Sequence, residues 1–469
     1  MKTDADGDHK RVSRIAIACA IGTIIEWYDF FLYGVLAALV LNHVFFPNYS
    51  PFIGMMLSYT TFAVGFFARP VGGIIFGHFG DRLGRKKILV LTLLIMGIST
   101  TLIGLLPGYD RIGIMAPILL LGLRVLQGIG IGGEWGGAVV LAIEHAPKQK
   151  RSFYGSYPQI GGPAGLMVST AVVAILNQMP TADFMAWGWR CAFLLSSLLV
   201  VIGLIIRLKI TETPEFTNLK AHGQEVAVPF FEMFKSYRKE VLQTLGARFI
   251  EGASFNIFGV FIISYGVSTL HLSRGFILNG VILGSGLIIP FIFIFGALAD
   301  KLGLKQVFGI GSLFLGVATA ISLFIMHTYG AQHPWVVWLG IIIPLSIGVP
   351  MVYGPEASLF ATQFDARVRY TGVSFAYQFS GIFASGLTPI IATLLVKKAG
   401  GTPWLVIIYM AIISLVSFIC AITMKIPNPK VVLADMKAQS GHTIETDQRK
   451  NLDEIMTHLL MSNTDSPKL

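Results

Sequence analysis

Read for polarity alone, the chain is a series of long apolar runs broken by short polar or Pro/Gly-containing stretches. A helix that crosses the hydrocarbon core of a bilayer needs about 20 largely apolar residues. Twelve runs meet that length, near 15–41, 52–78, 88–107, 112–142, 153–178, 188–208, 241–266, 276–299, 306–326, 335–360, 371–396 and 403–425. A polar stretch, 209–240, far longer than any other internal break, separates the sixth run from the seventh. The pattern predicts an all-α membrane protein of twelve transmembrane helices. A six-helix half over 15–208 and another over 241–425 are joined by a central loop, 209–240, and flanked by a polar N-terminus, 1–14, and a polar tail, 426–469. The central stretch contains TETPEF: Thr213 as cap, Pro214 at the first helical position and Glu215 near the positive end of the dipole predict a short helix along the membrane face.

Composition agrees: 54% hydrophobic and 13% charged residues, with mean hydropathy +0.70, exclude a soluble enzyme. The net charge of +10 would suit a nucleic-acid partner, yet the basic residues alternate with the loops. Lys2, Lys10, Arg11 and Arg14 precede the first run, Arg82, Arg85, Lys86 and Lys87 follow the second, and Lys148, Lys150 and Arg151 follow the fourth. Loops 42–51 and 327–334 contain no Lys or Arg. By the positive-inside rule both termini are expected in the cytoplasm of a cell that carries this chain in its inner or plasma membrane, with no nucleic acid as partner. The first run is too long for a cleavable signal and lacks an A-x-A exit, so it is expected to stay as a span. Cys19, Cys191 and Cys420 lie inside runs without paired spacing and the histidines form no ligand cluster, so no disulfide, metal or cofactor is expected.

An internal repeat supports two halves. GHFGDRLGRKK follows the second run and GALADKLGLKQ the eighth, so that Gly77, Asp81 and Gly84 match Gly296, Asp300 and Gly303, each pair 219 residues apart. The glycines permit a sharp turn and close helix approach, and the aspartate can satisfy a helix N-terminus or an arginine. The second copy has lost most of its basic residues, so the halves are not equivalent.

These motifs resemble a known family. GHFGDRLGRKK is similar to the signature of the major facilitator superfamily, and RVLQGIGIGGEWGG, from Arg124, resembles its second motif. EWYDF, ARPVGG, WGWR and ETPEF together resemble the metabolite:proton symporters of that superfamily, over nearly the whole chain to about residue 425. The resemblance implies inward transport, with protons, of acids such as shikimate, 2-oxoglutarate or citrate, or of the zwitterions proline and glycine betaine. The tail has one short amphipathic segment, at Leu452, Ile455, Met456 and Leu459, and lacks the three or four heptads of a coiled coil, which weighs against an osmosensing branch.

Ionisable residues inside spans cost about 2.5–3.5 kcal/mol each on insertion scales and mark function. Glu26 and Asp29, in GTIIEWYDFFLYG, lie about 18 Å and one further turn into the first helix, on one face. Burial favours the neutral form of a carboxyl, and a second acid nearby favours it further, which is the chemistry of a proton carrier. The alternative is that either acid is a structural partner of Arg124 or another buried cation. That arginine, deep in the fourth helix with Gln127 one turn below, can grip a carboxylate two-pronged or ion-pair with an acid that protonates; the resemblance implies a role in proton transfer, and a purely structural bridge is the other reading. In the second half, Arg248 and Glu251 either neutralise each other or, with Asn256, Tyr377 and Gln378, hold the substrate. Gly77, Asp81, Arg82, Gly84 and Arg85 are expected to form a cytoplasmic gate braced by Glu134, with Asp300 and Glu356 as counterparts in the second half. Arg69 could line the cavity or reach that gate, and Arg190 reads as an interfacial anchor beside Trp187 and Trp189.

Two patterns carry no such meaning. GIGIGG, residues 128–133, has no strand before it and reads as tight helix packing rather than a dinucleotide loop. GGPAG, from Gly161, matches the efflux-pump motif only in part, which counts against a drug antiporter. The sequence therefore predicts a monomeric symporter whose partners are a small-molecule substrate, protons and membrane lipid. An exporter or antiporter on the same fold, and a non-transporting solute sensor, stand as alternatives.

Overall fold

The computed structural model describes residues 2–83, 85–146, 150–209, 229–364 and 368–425. Among the described residues every regular element is a helix, and each of the twelve apolar runs lies on helix. The first half contains α1 (Lys2–Leu36), α2 (Pro51–Leu83), α3 (Arg85–Leu105), α4 (Met115–Gly132, resumed as Trp135–His145), α5 (Arg151–Leu176) and α6 (Trp189–Lys209). The second contains α7 (Arg238–Ser268), α8 (Arg274–Leu302), α9 (Leu304–Tyr329), α10 (Trp335–Ala361), α11 (Thr371–Lys398) and α12 (Trp404–Thr423). Ten of these are long and apolar enough to span a bilayer, and α1 with its bent continuation makes an eleventh. In α3 the apolar helix among the described side chains runs over Val90–Leu105. The expected tail, 426–469, and the TETPEF start lie outside the described residues, whereas Pro229–Ser236 does form a short helix before α7. The described residues up to Met424 pack as one compact unit.

The halves repeat one packing scheme. α1 lies on α5, α2 on α4 and α3 on α6, and correspondingly α7 lies on α11, α8 on α10 and α9 on α12. Both first helices contain a wide π turn at related places, Ala37–Leu41 and Ile257–Phe261, 220 residues apart. The halves meet along α2 with α11 and along α5 with α8 and α10. Outward-facing Ile98, Ile118, Leu198, Ile310, Val317 and Ile412 are exposed, as a lipid-facing surface requires, and exposed Trp187, Trp335 and Trp404 stand at helix ends, where an aromatic belt sits.

Close approach, not nucleotide binding, explains the glycines of α4. A Cβ on Gly132 would stand 2.0 Å from the Arg69 carbonyl oxygen, and one on Gly128 would stand 2.2 Å from that of Gly65. Backbone on both sides cannot yield, so α2 and α4 touch through small residues. Gly132→Ala is expected to force the two helices apart at a cost of about 1–3 kcal/mol or more, read as a fall in thermal stability of the purified protein; an unchanged midpoint would contradict this contact.

At the end of the bundle that carries the basic loops, Asp300 of α8 reaches across to the start of α5. Its Oδ1 accepts from the Ser152 N–H and its Oδ2 from the Phe153 N–H, each at 3.0 Å. An anion on the free N–H groups of a helix start is stabilised by hydrogen bonds and by the dipole together. Asp300→Asn is expected to weaken closure of this end by about 1 kcal/mol, which a broadened distance distribution between spin labels on α5 and α8 would register. An unaltered distribution would show that the contact does not hold the halves together. The backbone of Gly77–Leu83 continues α2, but Gly84 and the side chains of Asp81, Arg82 and Arg85 lie outside the described part, as does the expected brace between them and Glu134. Glu134 itself is buried at the break in α4.

Candidate functional site

Four elements bring polar chemistry to the middle of the first half. Arg124 of α4 is fully buried and its Nη2 donates to the Phe62 carbonyl at 3.1 Å, its Nε to that of Thr61 at 3.4 Å, and its Nη1 to Oε1 of Gln127. The guanidinium also lies over the Tyr33 ring, 4.1 Å from its centroid, a cation–π placement that replaces part of the lost hydration. Gln127 passes the connection on, donating to Thr100 Oγ1 at 2.7 Å and to the Asp29 backbone carbonyl at 3.3 Å. Among the described residues Arg124 makes no ion pair with Glu26 or Asp29; its donors are taken up by backbone of α2 and by Gln127, and α4 meets α1 through the Tyr33 ring and the Asp29 carbonyl.

The two acids of α1 differ from the expectation in direction. Asp29 is fully buried and faces Ser196 of α6 and Thr100 of α3, yet among the described residues neither carboxyl oxygen completes a hydrogen bond. Glu26 is also buried, on the side of Arg69. Arg69 is held in an aromatic cage, with its guanidinium carbon 4.0 Å from the Phe30 centroid, 4.4 Å from Phe66 and 4.9 Å from Trp27. It thus sits just behind the cavity wall rather than reaching the basic-loop end.

The cavity between the halves is bounded by Trp27, Phe31 and Phe66 from the first half and by Arg248, Glu251, Phe255, Asn256, Tyr353, Tyr377 and Ser385 from the second, with Gly162 at one side. It has room for about one water molecule. Contacts close it on both sides: Gln378 donates to the Gly132 carbonyl at 3.2 Å and Gln159 to that of Tyr353 at 3.1 Å, while the Tyr59 hydroxyl donates to Ser264 at 2.9 Å. The molecule is occluded, and a substrate needs the halves to part.

Arg248 dominates this cavity. Its guanidinium lies 3.6 Å from the Tyr377 ring centroid, its Nη2 is 3.6 Å from Glu251 Oε2 and its Nε is 3.8 Å from Glu356 Oε1. Tyr377 in turn stacks on Trp135 of the first half at 3.5 Å, so the arginine is pinned by a contact across the halves. Asn256 donates to Gly252 O at 2.9 Å and leaves its carbonyl oxygen without a partner among the described residues.

Several expected roles shift. Glu356, expected at the gate, is fully buried beside Arg248, because α10 packs on α7 and turns this residue inward. Gln378, expected at the substrate, bonds instead across the halves, and Arg124 and Gln127 lie behind the wall rather than on it. The aromatic lining, Trp27, Phe31, Phe66, Phe255 and Tyr353, is not among the site residues the sequence singles out. Trp27 and Phe31, one turn apart in the same EWYDFF stretch as the acids, were the available signal.

A cavity between two related helical halves, closed from both sides, is the arrangement of an alternating-access carrier. The family profile of the Major Facilitator Superfamily matches residues 19–386. The chain belongs to the Major Facilitator Superfamily. Within it, the shikimate transporter of Escherichia coli (strain K12) is 40% identical over 419 residues, covering 88% of this chain and 95% of that protein. The proline/betaine transporter of the same strain is 33% identical over 434 residues, covering 89% and 84%. The crystal structure of a D-xylose-proton symporter superposes with a TM-score of 0.69 at 18% identity, over 89% of this chain and 98% of that one, a likeness of fold. This member of the superfamily is a multi-pass membrane transporter and not an enzyme.

Proposed function

We propose that this transporter imports a small organic acid or zwitterion together with protons, with both termini in the cytoplasm. The observation that carries the reading is Arg248, a buried guanidinium on an aromatic-walled cavity between the halves. A guanidinium in such a site recognises a carboxylate two-pronged and gains strength from the exclusion of water. The flat walls of Trp27, Phe31 and Phe66 suit a ring or a compact carbon skeleton, and Asn256, Ser385 and Tyr353 offer hydrogen bonds to hydroxyls. A carboxylate is common to shikimate-like acids, dicarboxylates, proline and betaine, and the relatives favour shikimate-like and betaine-like substrates. Asp29 is the proposed proton carrier of the first half, because it is fully buried beside the hydroxyls of Ser196 and Thr100 and has no cation beside it among the described residues. Glu26 and Arg124 are proposed to set the field around it.

Reconstitution in sealed proteoliposomes tests this. Labelled shikimate, 2-oxoglutarate, citrate, proline and betaine are offered with and without an inward proton gradient. Accumulation of one of them only with the gradient is expected. Efflux driven by the same gradient would make the protein an antiporter, and binding without flux would make it a sensor.

A further inference from the structure

The second half presents a charge imbalance. Arg248, Glu251 and Glu356 are all buried, with exposures of 2%, 4% and 0%. One guanidinium stands between two carboxyls, at 3.6 Å and 3.8 Å, too far to complete a hydrogen bond with either. Fully ionised, the cluster would carry one uncompensated negative charge. An ion buried without a partner is among the costliest features a fold can hold, and two acids near each other repel besides. The imbalance is local: among the described residues, the other groups facing the cluster are the hydroxyls of Tyr353 on α10 and Tyr377 on α11, which carry no charge. Arg69 of α2 approaches Arg248 rather than the glutamates and has Glu26 beside it. The remaining helices packed on α10 carry their ionisable residues at their ends, with none between 275 and 299 in α8 or between 306 and 326 in α9 and, in α5, none after Tyr157. Glu134 lies at the break of α4.

We propose that Glu251 and Glu356 share one exchangeable proton, which makes the second half a proton-binding site in its own right, in addition to Asp29. In the occluded molecule Glu251 is the ionised partner of Arg248, and Glu356, whose two oxygens accept no hydrogen bond among the described residues, holds the proton. The pair titrates as a unit, since a proton on either carboxyl restores balance. Resting on the import reading above, the site also supplies a coupling rule. A substrate carboxylate on Arg248 withdraws the positive charge from Glu251, and a second proton from the medium, forming an O–H bond on that carboxyl, restores neutrality. Substrate anion and proton then enter the occluded state together.

The experiment reads the site without transport. The proton is held by the folded protein and released by the unfolded chain, so the thermal midpoint of the purified wild type is expected to fall as pH rises from about 5 to about 9. Glu356→Gln or Glu251→Gln leaves one arginine and one acid, a balanced pair, and either change is expected to flatten that slope beyond what Asp29→Asn removes. Should both variants misfold, infrared spectra of the wild type provide a second reading: a protonated-carboxyl C=O band should be present near neutral pH and lost on alkalisation, in excess of the Asp29→Asn difference. A wild-type slope unchanged in both glutamine variants, or a carboxyl band fully accounted for by Asp29, would overturn the proposal. So would a midpoint raised by sodium in the wild type and not in Glu356→Gln, which would make the compensating cation sodium. Since none of these readouts involves flux, failure of the import reading would appear separately, in the proteoliposome panel.

Discussion

Arg248→Gln is expected to abolish saturable uptake of carboxylate substrates, with an affinity loss of about 2–5 kcal/mol, or roughly thirty-fold and more. The reason is twofold. The substrate loses its guanidinium, and Glu251 and Glu356 lose the charge that tolerates them in the protein interior. Removal of one member of a buried charge cluster costs more than the cluster contributes, because the survivors stay buried without compensation. A companion substitution separates the two effects: in the Arg248→Gln, Glu251→Gln double variant, which leaves only the neutral Glu356, thermal stability should recover while affinity does not. Isothermal titration and melting curves check both, and retention of wild-type affinity by Arg248→Gln would remove this arginine from the substrate site. Arg248→Lys should recover little, since an ammonium has neither the fork nor the flat face that lies on Tyr377.

The second large effect is expected at Asp29. Asp29→Asn keeps the shape and the neutral state of the buried side chain and removes only its ability to release a proton. Exchange of labelled for unlabelled substrate, which requires no net proton movement, should survive. Accumulation against a gradient should not: a net charge carried inward across 100 mV is worth about 2.3 kcal/mol, or about fifty-fold in concentration, and that factor is what the variant loses. Counterflow and gradient-driven uptake in the same vesicles make the comparison. If Asp29→Asn still accumulated substrate fully, the proton would travel elsewhere, with Glu26 and the Glu251–Glu356 pair as the other buried carboxyls to test.

Hydropathy was sufficient for the architecture. A bilayer demands about 20 apolar residues per crossing and complete satisfaction of backbone groups within each helix, so a linear count anticipated the helical layout, of which ten helices, or eleven with the bent α1, meet the length and apolarity of a span. The 219-residue repeat likewise anticipated two halves, since related sequences pack in related ways. What a periodicity cannot state is which neighbour a helix face will meet. Glu26 and Asp29 share a face of α1, as spacing required, but it is Trp27 and Phe31, on the other side, that line the cavity, while Asp29 turns to α3 and α6. The rotation of a helix about its axis is set by the summed packing of every residue on it, including the close backbone contact that glycines permit elsewhere in the bundle. Glu356 shows the same limit. Its sequence position suggested a gate, and only the packing of α10 on α7, residues far apart in the chain, brought it to Arg248. The sequence by itself determined that acids and arginines lie in the membrane and that they cost too much to be incidental. The tertiary structure decided which of them meet, because charge compensation is a property of distance in space, and spacing along the chain controls that distance only within a single helix.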